Sequence, residues 1–272
     1  MNRACFSKHT YLSRHGGTSS IRPLKNNFFR MKVLFCLVFI FIFNVSWSFE
    51  NADSTKRKLK AAGKVSLNSN GIASIPAFSL GRPAVIASIT LAKNRFSYDP
   101  TLAYGLDLRP WFIDNWLRYK IIARPVFDLT AGFNISTFGT KYLLPEGSIH
   151  EAQRYYAFSL TGVYKFSPEN SLTVAYWNDR GQEEGTIKGH FFNLVGERSD
   201  INIGKNVLFS AALQIFYINY DGNNDGLFVS PGFSASLRNL PFSIIFQATQ
   251  ALSSNIVPFP GFKWNMGLAY TL

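Results

Sequence analysis

Phe262-Lys263-Trp264-Asn265-Met266-Gly267-Leu268-Ala269-Tyr270-Thr271-Leu272 closes the chain, and its reading decides the fold. Side chains alternate across an extended strand. Phe262, Trp264, Met266, Leu268, Tyr270 and Leu272 therefore share one surface, and Lys263, Asn265, Gly267, Ala269 and Thr271 share the other. A helical period of 3.6 gathers no comparable apolar stripe from these residues. A tilted strand of roughly nine to eleven residues is long enough to cross a bilayer.

The same two-residue period recurs upstream. In 153–166, Tyr156, Phe158, Leu160, Gly162, Tyr164 and Phe166 oppose Ser159, Thr161 and Lys165. In 126–138, Phe127, Leu129, Ala131, Phe133 and Ile135 oppose Asp128, Thr130, Gly132, Asn134 and Ser136. In 101–109, Leu102, Tyr104, Leu106 and Leu108 oppose Thr101, Gly105, Asp107 and Arg109. Similar runs occupy 84–92, 116–124, 171–179, 190–197, 207–219, 227–238 and 242–249, and a candidate at 72–80 brings the count to about 12, with 10 or 8 as alternatives. Soluble sandwiches also alternate. Here, however, large aromatics (Tyr156, Phe166, Trp264, Tyr270) sit near strand ends, and the polar faces favour Ser, Thr, Asn, Gln and Gly over Lys and Glu. Aromatic girdles of this kind mark membrane interfaces. Hydrocarbon cannot satisfy an open sheet edge, so the strands must close. The fold class expected is all-β: a closed antiparallel up-and-down transmembrane β-barrel over 71–272. A mean hydropathy of +0.02 excludes a bundle of apolar membrane helices.

The links carry an asymmetry. Ser167-Pro168-Glu169-Asn170 and Arg238-Asn239-Leu240-Pro241 read as tight turns, whereas 139–152, 180–189, 220–226 and 253–260 are longer. Counted back from the C-terminus the two kinds alternate, apart from a medium link at 200–206 on the short side. Outer-membrane barrels have short periplasmic turns and longer external loops, which puts the C-terminus, and with an even strand number the N-terminus, on the periplasmic side.

The N-terminal portion reads differently. Met31-Lys32 precedes eleven apolar residues, Val33 to Phe43, and then Asn44-Val45-Ser46-Trp47-Ser48. A basic start, a short apolar helix and a small-residue cleavage site make 31–48 a signal peptide. Residues 1–30 are then a spurious or additional leader, and 49–70, polar and basic, a flexible N-terminal segment. Both cysteines, Cys5 and Cys36, fall in the leader, so the exported chain has no disulfide framework and no thiolate metal site. Seven of the 28 basic residues and none of the 16 acidic ones lie in 1–48, leaving 21 against 16 in the remainder. The net charge of +12 belongs mostly to the leader, and a nucleic-acid partner is not expected.

The signal peptide, the strand pattern and the final Leu268-Ala269-Tyr270-Thr271-Leu272 resemble the outer-membrane β-barrel proteins of Gram-negative bacteria. Asp107-Leu108-Arg109-Pro110-Trp111 through Asp114-Asn115-Trp116-Leu117-Arg118-Tyr119 is similar to uncharacterised barrels of the Bacteroidota. The resemblance implies a cell outer-membrane location, contact with outer-membrane lipid and lipopolysaccharide, and insertion by the barrel-assembly machinery. It brings no catalytic motif.

Two groups of inward residues are candidates for function. A charge cluster comprises Asp107, Arg109, Arg118, Lys120, Arg124 and Asp128. Four positive and two negative groups on adjacent strands would form a positive strip attracting anions or sugars, or else an internal salt-bridge network. The second group is aromatic: Trp116, Tyr155, Trp177, Phe191, Phe216 and Phe228, which would narrow the lumen. Twelve strands fall between the filled eight-stranded and the open sixteen-stranded barrel. Of the histidines outside the leader, His150 falls in a long link and His190 opens a strand, both read as solvated and neither at metal-ligand spacing. Gly189-His190-Phe191-Phe192-Asn193 lacks the Ser that a phospholipase-type barrel needs after its His. Asp221-Gly222-Asn223-Asn224-Asp225-Gly226 lacks the Glu that completes a calcium loop. No metal, cofactor or enzymatic activity is expected. The first expectation is a narrow channel or passive transporter for small polar or anionic solutes. The alternative is a structural or binding barrel with an occluded lumen and partner-contacting outer loops.

Overall fold

The structure, a computed structural model, describes residues 58–272 except 74–77, 145–146, 221–223 and 258, with side chains omitted over 140–150. The expected leader, 1–48, and the adjoining 49–57 lie outside the described residues. Twelve strands make up the fold: β1 Lys60–Asn68, β2 Ala84–Lys93, β3 Phe96–Gly105, β4 Pro110–Ala123, β5 Phe127–Leu144, β6 Gly147–Lys165, β7 Asn170–Gly181, β8 Lys188–Ile203, β9 Val207–Tyr220, β10 Asn224–Leu237, β11 Phe242–Ser254 and β12 Lys263–Thr271. Each pairs antiparallel with its sequence neighbours, and β1 pairs with β12 to close the barrel. Closure satisfies every ladder without leaving an edge, the requirement that hydrocarbon imposes.

The alternation places side chains as expected. On β12, Trp264, Met266 and Leu268 are exposed on the outer wall, while Asn265 and Ala269 are buried inside. Phe158 and Leu160 on β6, Leu213 and Ile215 on β9, and Phe233 on β10 continue the outward apolar band. A continuous apolar band on the outside of a closed barrel is the kind of surface that lipid covers.

The expected count of about 12 holds, but its first member does not. The run 72–80 is not a strand among its described residues, and β1 comes from 60–68, inside the segment expected to be flexible. Only Val65 and Leu67 give β1 an outward apolar pattern among Lys, Ala and Gly, so its sequence signal is faint. Its stability comes from partners on both sides: Val65 opposes Tyr270 on β12 and Ala87 on β2. The seam is reinforced inside by Asn265 Nδ2 donating to Asn68 Oδ1 at 2.9 Å and by the Asn70 amide donating to Asn265 Oδ1 at 3.0 Å.

The links also sort by end. At the end where β1 begins and β12 ends, called the terminal end, lie the short turns 94–95, 124–126, 166–169, 204–206 and 238–241. The medium link expected at 200–206 shrinks to 204–206, because β8 runs on to Ile203 through an irregularity between Arg198 and Ile201 where Asp200 takes a φ of 55°. The other end carries 69–83, 182–187 and 255–262, and also the short turn 106–109 between β3 and β4. Much of the expected 139–152 loop is instead ladder, with Gly139 opposing Ala152 and Leu144 opposing Gly147, so β5 and β6 stand beyond their neighbours.

An aromatic constriction inside the barrel

The inward aromatic set meets as one assembly. Trp116 lies 5.5 Å from Trp177 between ring centroids, Trp177 4.8 Å from Phe191, Phe191 5.5 Å from Phe216, and Phe216 4.9 Å from Phe228 at an interplanar angle of 8°. These rings come from β4, β7, β8, β9 and β10. Trp116 reaches Trp177 past β5 and β6 because the inward residues there are small. A Cβ at Gly132 would meet Ser159 Oγ and would sit 3.2 Å from the Trp116 ring. Phe191, Phe216 and Phe228 are each 1% exposed, so the lumen is filled at their level.

The sixth expected aromatic, Tyr155, joins through a residue that the sequence reading did not single out. Phe78, in the link between β1 and β2, stacks on Phe138 at 4.1 Å and meets Tyr155 edge-on at 5.0 Å. It also packs against the cluster containing Phe191, Phe216, Ile218 and Phe228. Its carbonyl accepts a hydrogen bond from Trp111 Nε1 at 2.5 Å. One side chain thus touches the β5–β6 wall and the β8–β10 wall together. The link is pinned where it leaves and re-enters the wall: the Gly71 amide donates to Arg82 O at 2.9 Å and the Leu80 amide to Gly71 O at 2.9 Å. Gly71 is required by close approach, since a Cβ there would fall 2.8 Å from Trp111 and 2.9 Å from Leu80.

Of the two readings open for the charge cluster, a positive strip and an internal salt-bridge network, the ion pairs follow the second. β3 ends at Gly105 and β4 begins at Pro110, so Asp107 and Arg109 lie in the intervening turn, away from the terminal end. There Asp107 is bridged by Arg82 at 2.9 Å and Arg109 at 3.2 Å. Arg118, inside, pairs with Asp99 and lies with its guanidinium carbon 4.7 Å above the Trp116 ring. Near the terminal end, Asp128 accepts from Lys165 at 3.0 Å and Lys120 at 3.4 Å. Arg124 is exposed in the β4–β5 turn. Five inward or rim cations are therefore bridged to carboxylates, the arrangement of an internal salt-bridge network, and the positive strip is withdrawn.

Three inward carboxylates escaped the sequence reading: Asp99, paired with Arg118, and Asp114 and Asp179. Asp114 and Asp179 line a cavity of about 80 Å³ under Phe78 together with Trp116, Asn134, Tyr155 and Trp177. Asn134 Nδ2 donates to Asp114 Oδ1 at 3.4 Å. Asp99 and Asp114 fall outside the strand limits expected from 101–109 and 116–124, because hydrophobic alternation shows only the membrane-crossing middle of a strand. The face parity would have placed both inside had the longer ladders been known. A larger cavity, about 280 Å³, opens in the half of the lumen nearer the termini, with Glu197, Ser210, Gln214, Ser230, Gln247 and Asn265 among its lining. Here polar side chains bond one another: Gln247 Nε2 donates to Ser230 Oγ at 3.2 Å and Gln214 Nε2 to Asn193 Oδ1 at 3.0 Å. One half of the lumen thus holds the buried aromatic cluster with the small Asp114–Asp179 cavity beside it, and the other holds the larger cavity.

His190 is not the solvated histidine expected. It sits on the outer wall, where its Nδ1 lies 2.7 Å from Tyr176 Oη and 3.1 Å from Asn178 Nδ2. The side chain of His150 lies outside the described residues. No cluster with metal-binding composition occurs among the described residues.

The geometry defines the class: a closed twelve-stranded antiparallel β-barrel with an apolar outer band. The chain shares its fold with the KdgM porin, at a TM-score of 0.50 and 9% identity over 77% of this chain and 98% of the porin. An outer-membrane channel of Pseudomonas putida F1 is matched at 0.48 and 10% identity over 82% of this chain and 99% of the channel. LpxR from Salmonella typhimurium is matched at 0.45 and 10% identity over 78% of this chain and 99% of its own. No protein-family model and no curated protein matches the sequence.

Proposed function

We propose that the protein is a non-enzymatic outer-membrane barrel, exported by a cleaved signal peptide, that forms a narrow passage for small polar solutes, with Phe78 at its tightest point. The observation that carries this reading is the position of Phe78 between opposite walls, above a polar cavity rather than within a solid core. Likeness to a porin fold supports the class. The expected preference for anions is not carried forward. Three of the four cations that would have supplied it, Arg109, Arg118 and Lys120, are bridged, the fourth, Arg124, is exposed in the β4–β5 turn, and carboxylates line the constriction.

The packing of Phe191, Phe216 and Phe228 favours a second reading, a barrel sealed throughout its outer half that acts by binding. Planar-bilayer recording separates the two. Under the passage reading, wild-type protein conducts weakly and Phe78→Ala increases unitary conductance several-fold, because one large ring is removed from the narrowest section. A bilayer that stays silent with both proteins would assign the sealed barrel.

A further inference from the structure

We propose that the outer wall carries, across β7 and β8, a docking site for the phosphorylated headgroup of an outer-leaflet lipid. The site rests on the outer-membrane reading above and names a partner for it. Along β7 the outward residues run Leu172, Val174, Tyr176, Asn178 and Arg180 toward the end away from the termini. Along β8 they run back as Lys188, His190, Phe192 and Leu194. The register sets Arg180 opposite Lys188, Asn178 opposite His190 and Tyr176 opposite Phe192. On the flanking strands Tyr156 opposes Arg180, and Tyr217 opposes Phe192. The wall therefore changes in three steps, from aliphatic to aromatic to cationic. In a membrane the aromatic row lies at the interface, and the row beyond it lies among headgroups.

The charges in that last row differ from those inside the barrel. Arg82, Arg109, Arg118, Lys120 and Lys165 each have a carboxylate. Arg154, on β6 beside this row, is bridged to Glu183 at 2.8 Å. Arg180 and Lys188 have none among the described residues, and Arg180 Nε donates only to Asn178 Oδ1, at 3.0 Å. Directly opposed residues on neighbouring strands have Cα atoms about 5 Å apart, so both cations can reach one phosphate. Below them His190 is fixed by its contacts with Tyr176 and Asn178. With Asn178 Nδ2 donating to Nδ1, the ring's Nε2 is left to donate in the row. An exposed acidic group, Glu184, stands in the adjoining link, and Asp225 accepts from Tyr217 Oη at 2.8 Å. Two cations without a carboxylate among the described residues, a donor histidine and an apolar wall beneath match a lipid whose acyl chains lie on the barrel and whose phosphate lies at the rim.

The test uses the full-length protein in detergent micelles, titrated with diphosphorylated lipid A, with its dephosphorylated form and with inorganic phosphate, while the thermal unfolding midpoint is followed. The diphosphorylated lipid is expected to raise the midpoint saturably, with the other two probes inert. The double variant Arg180→Ala/Lys188→Ala is expected to bind about thirtyfold more weakly, at ~1 kcal/mol per cation, while keeping the heat-modifiable mobility of a folded barrel. Arg238→Ala, in a turn at the terminal end, is expected to bind like wild type. Equal shifts for the two lipids, unchanged binding by the double variant, or saturation by inorganic phosphate would overturn the site. A protein that shows no heat-modifiable barrel at all would overturn the outer-membrane reading as well.

Discussion

At Gly132 the absence of a side chain is structural. The inward face of β5 must let the Trp116 indole lie across it to reach Trp177 on the far side of β6, and a Cβ there would already crowd the indole and Ser159. Gly132→Val is expected to destabilise the folded barrel by about 1–3 kcal/mol, the usual cost of overpacking, as read from the urea midpoint in micelles. Gly132→Ala should cost less, and an unchanged midpoint for both would show that the tryptophan pair is loosely held. Phe78 teaches the same lesson from the opposite direction. Its function depends on being large, and nothing in 72–80 distinguishes a ring headed for a lumen from one headed for lipid.

The elements differ in how readily they could be recognised. β12 and β6 declare themselves, because lipid on one side and a polar lumen on the other impose strict alternation. β1 does not, since Lys60, Ala61, Ala62, Gly63 and Lys64 give it almost no apolar face. Its pairing comes from backbone groups, which any sequence offers, with Asn68 and Asn265 adding a buried side-chain bond at the seam. Asn265→Leu, which leaves Asn68 Oδ1 and the Asn70 amide without that partner, is expected to cost roughly 1–3 kcal/mol. The loss should appear as a lowered gel-shift temperature. The β5–β6 hairpin is the converse case, a ladder extending past its neighbours into a stretch with no membrane pattern. Removing 141–150 and rejoining the strands should leave the barrel folded and heat-modifiable, because the remaining ladder still pairs Phe127 with Tyr164 and Phe138 with Gln153. Loss of the compact band would mean that the projecting hairpin guides assembly.

For the whole molecule, stability without a disulfide in the described residues rests on an uninterrupted ring of hydrogen bonds. In detergent such a ring resists unfolding until heated, so unboiled protein is expected to migrate faster than boiled protein and to fractionate with the outer membrane. A single mobility, or recovery in the soluble fraction, would contradict the membrane environment assigned to Phe158, Met266 and Leu268.

Alternation by itself determined the β class, the two faces of nearly every strand and eleven of the twelve strands, leaving the total at about 12 with 10 or 8 open. These are local consequences of a chain that must be apolar on one side and polar on the other. It also assigned Trp116, Tyr155, Trp177, Phe191, Phe216 and Phe228 to one face of their strands; in the structure Phe191, Phe216 and Phe228 are buried in one cluster with Trp177 packed against it. Only the tertiary structure decided that 60–68 and not 72–80 completes the barrel, that Phe78 enters the lumen, and that Asp99, Asp107 and Asp128 neutralise the cations expected to form a strip. The reason is distance along the chain. Closure joins β1 to a strand some two hundred residues away, and an ion pair depends on where two strands end, neither of which a two-residue period records.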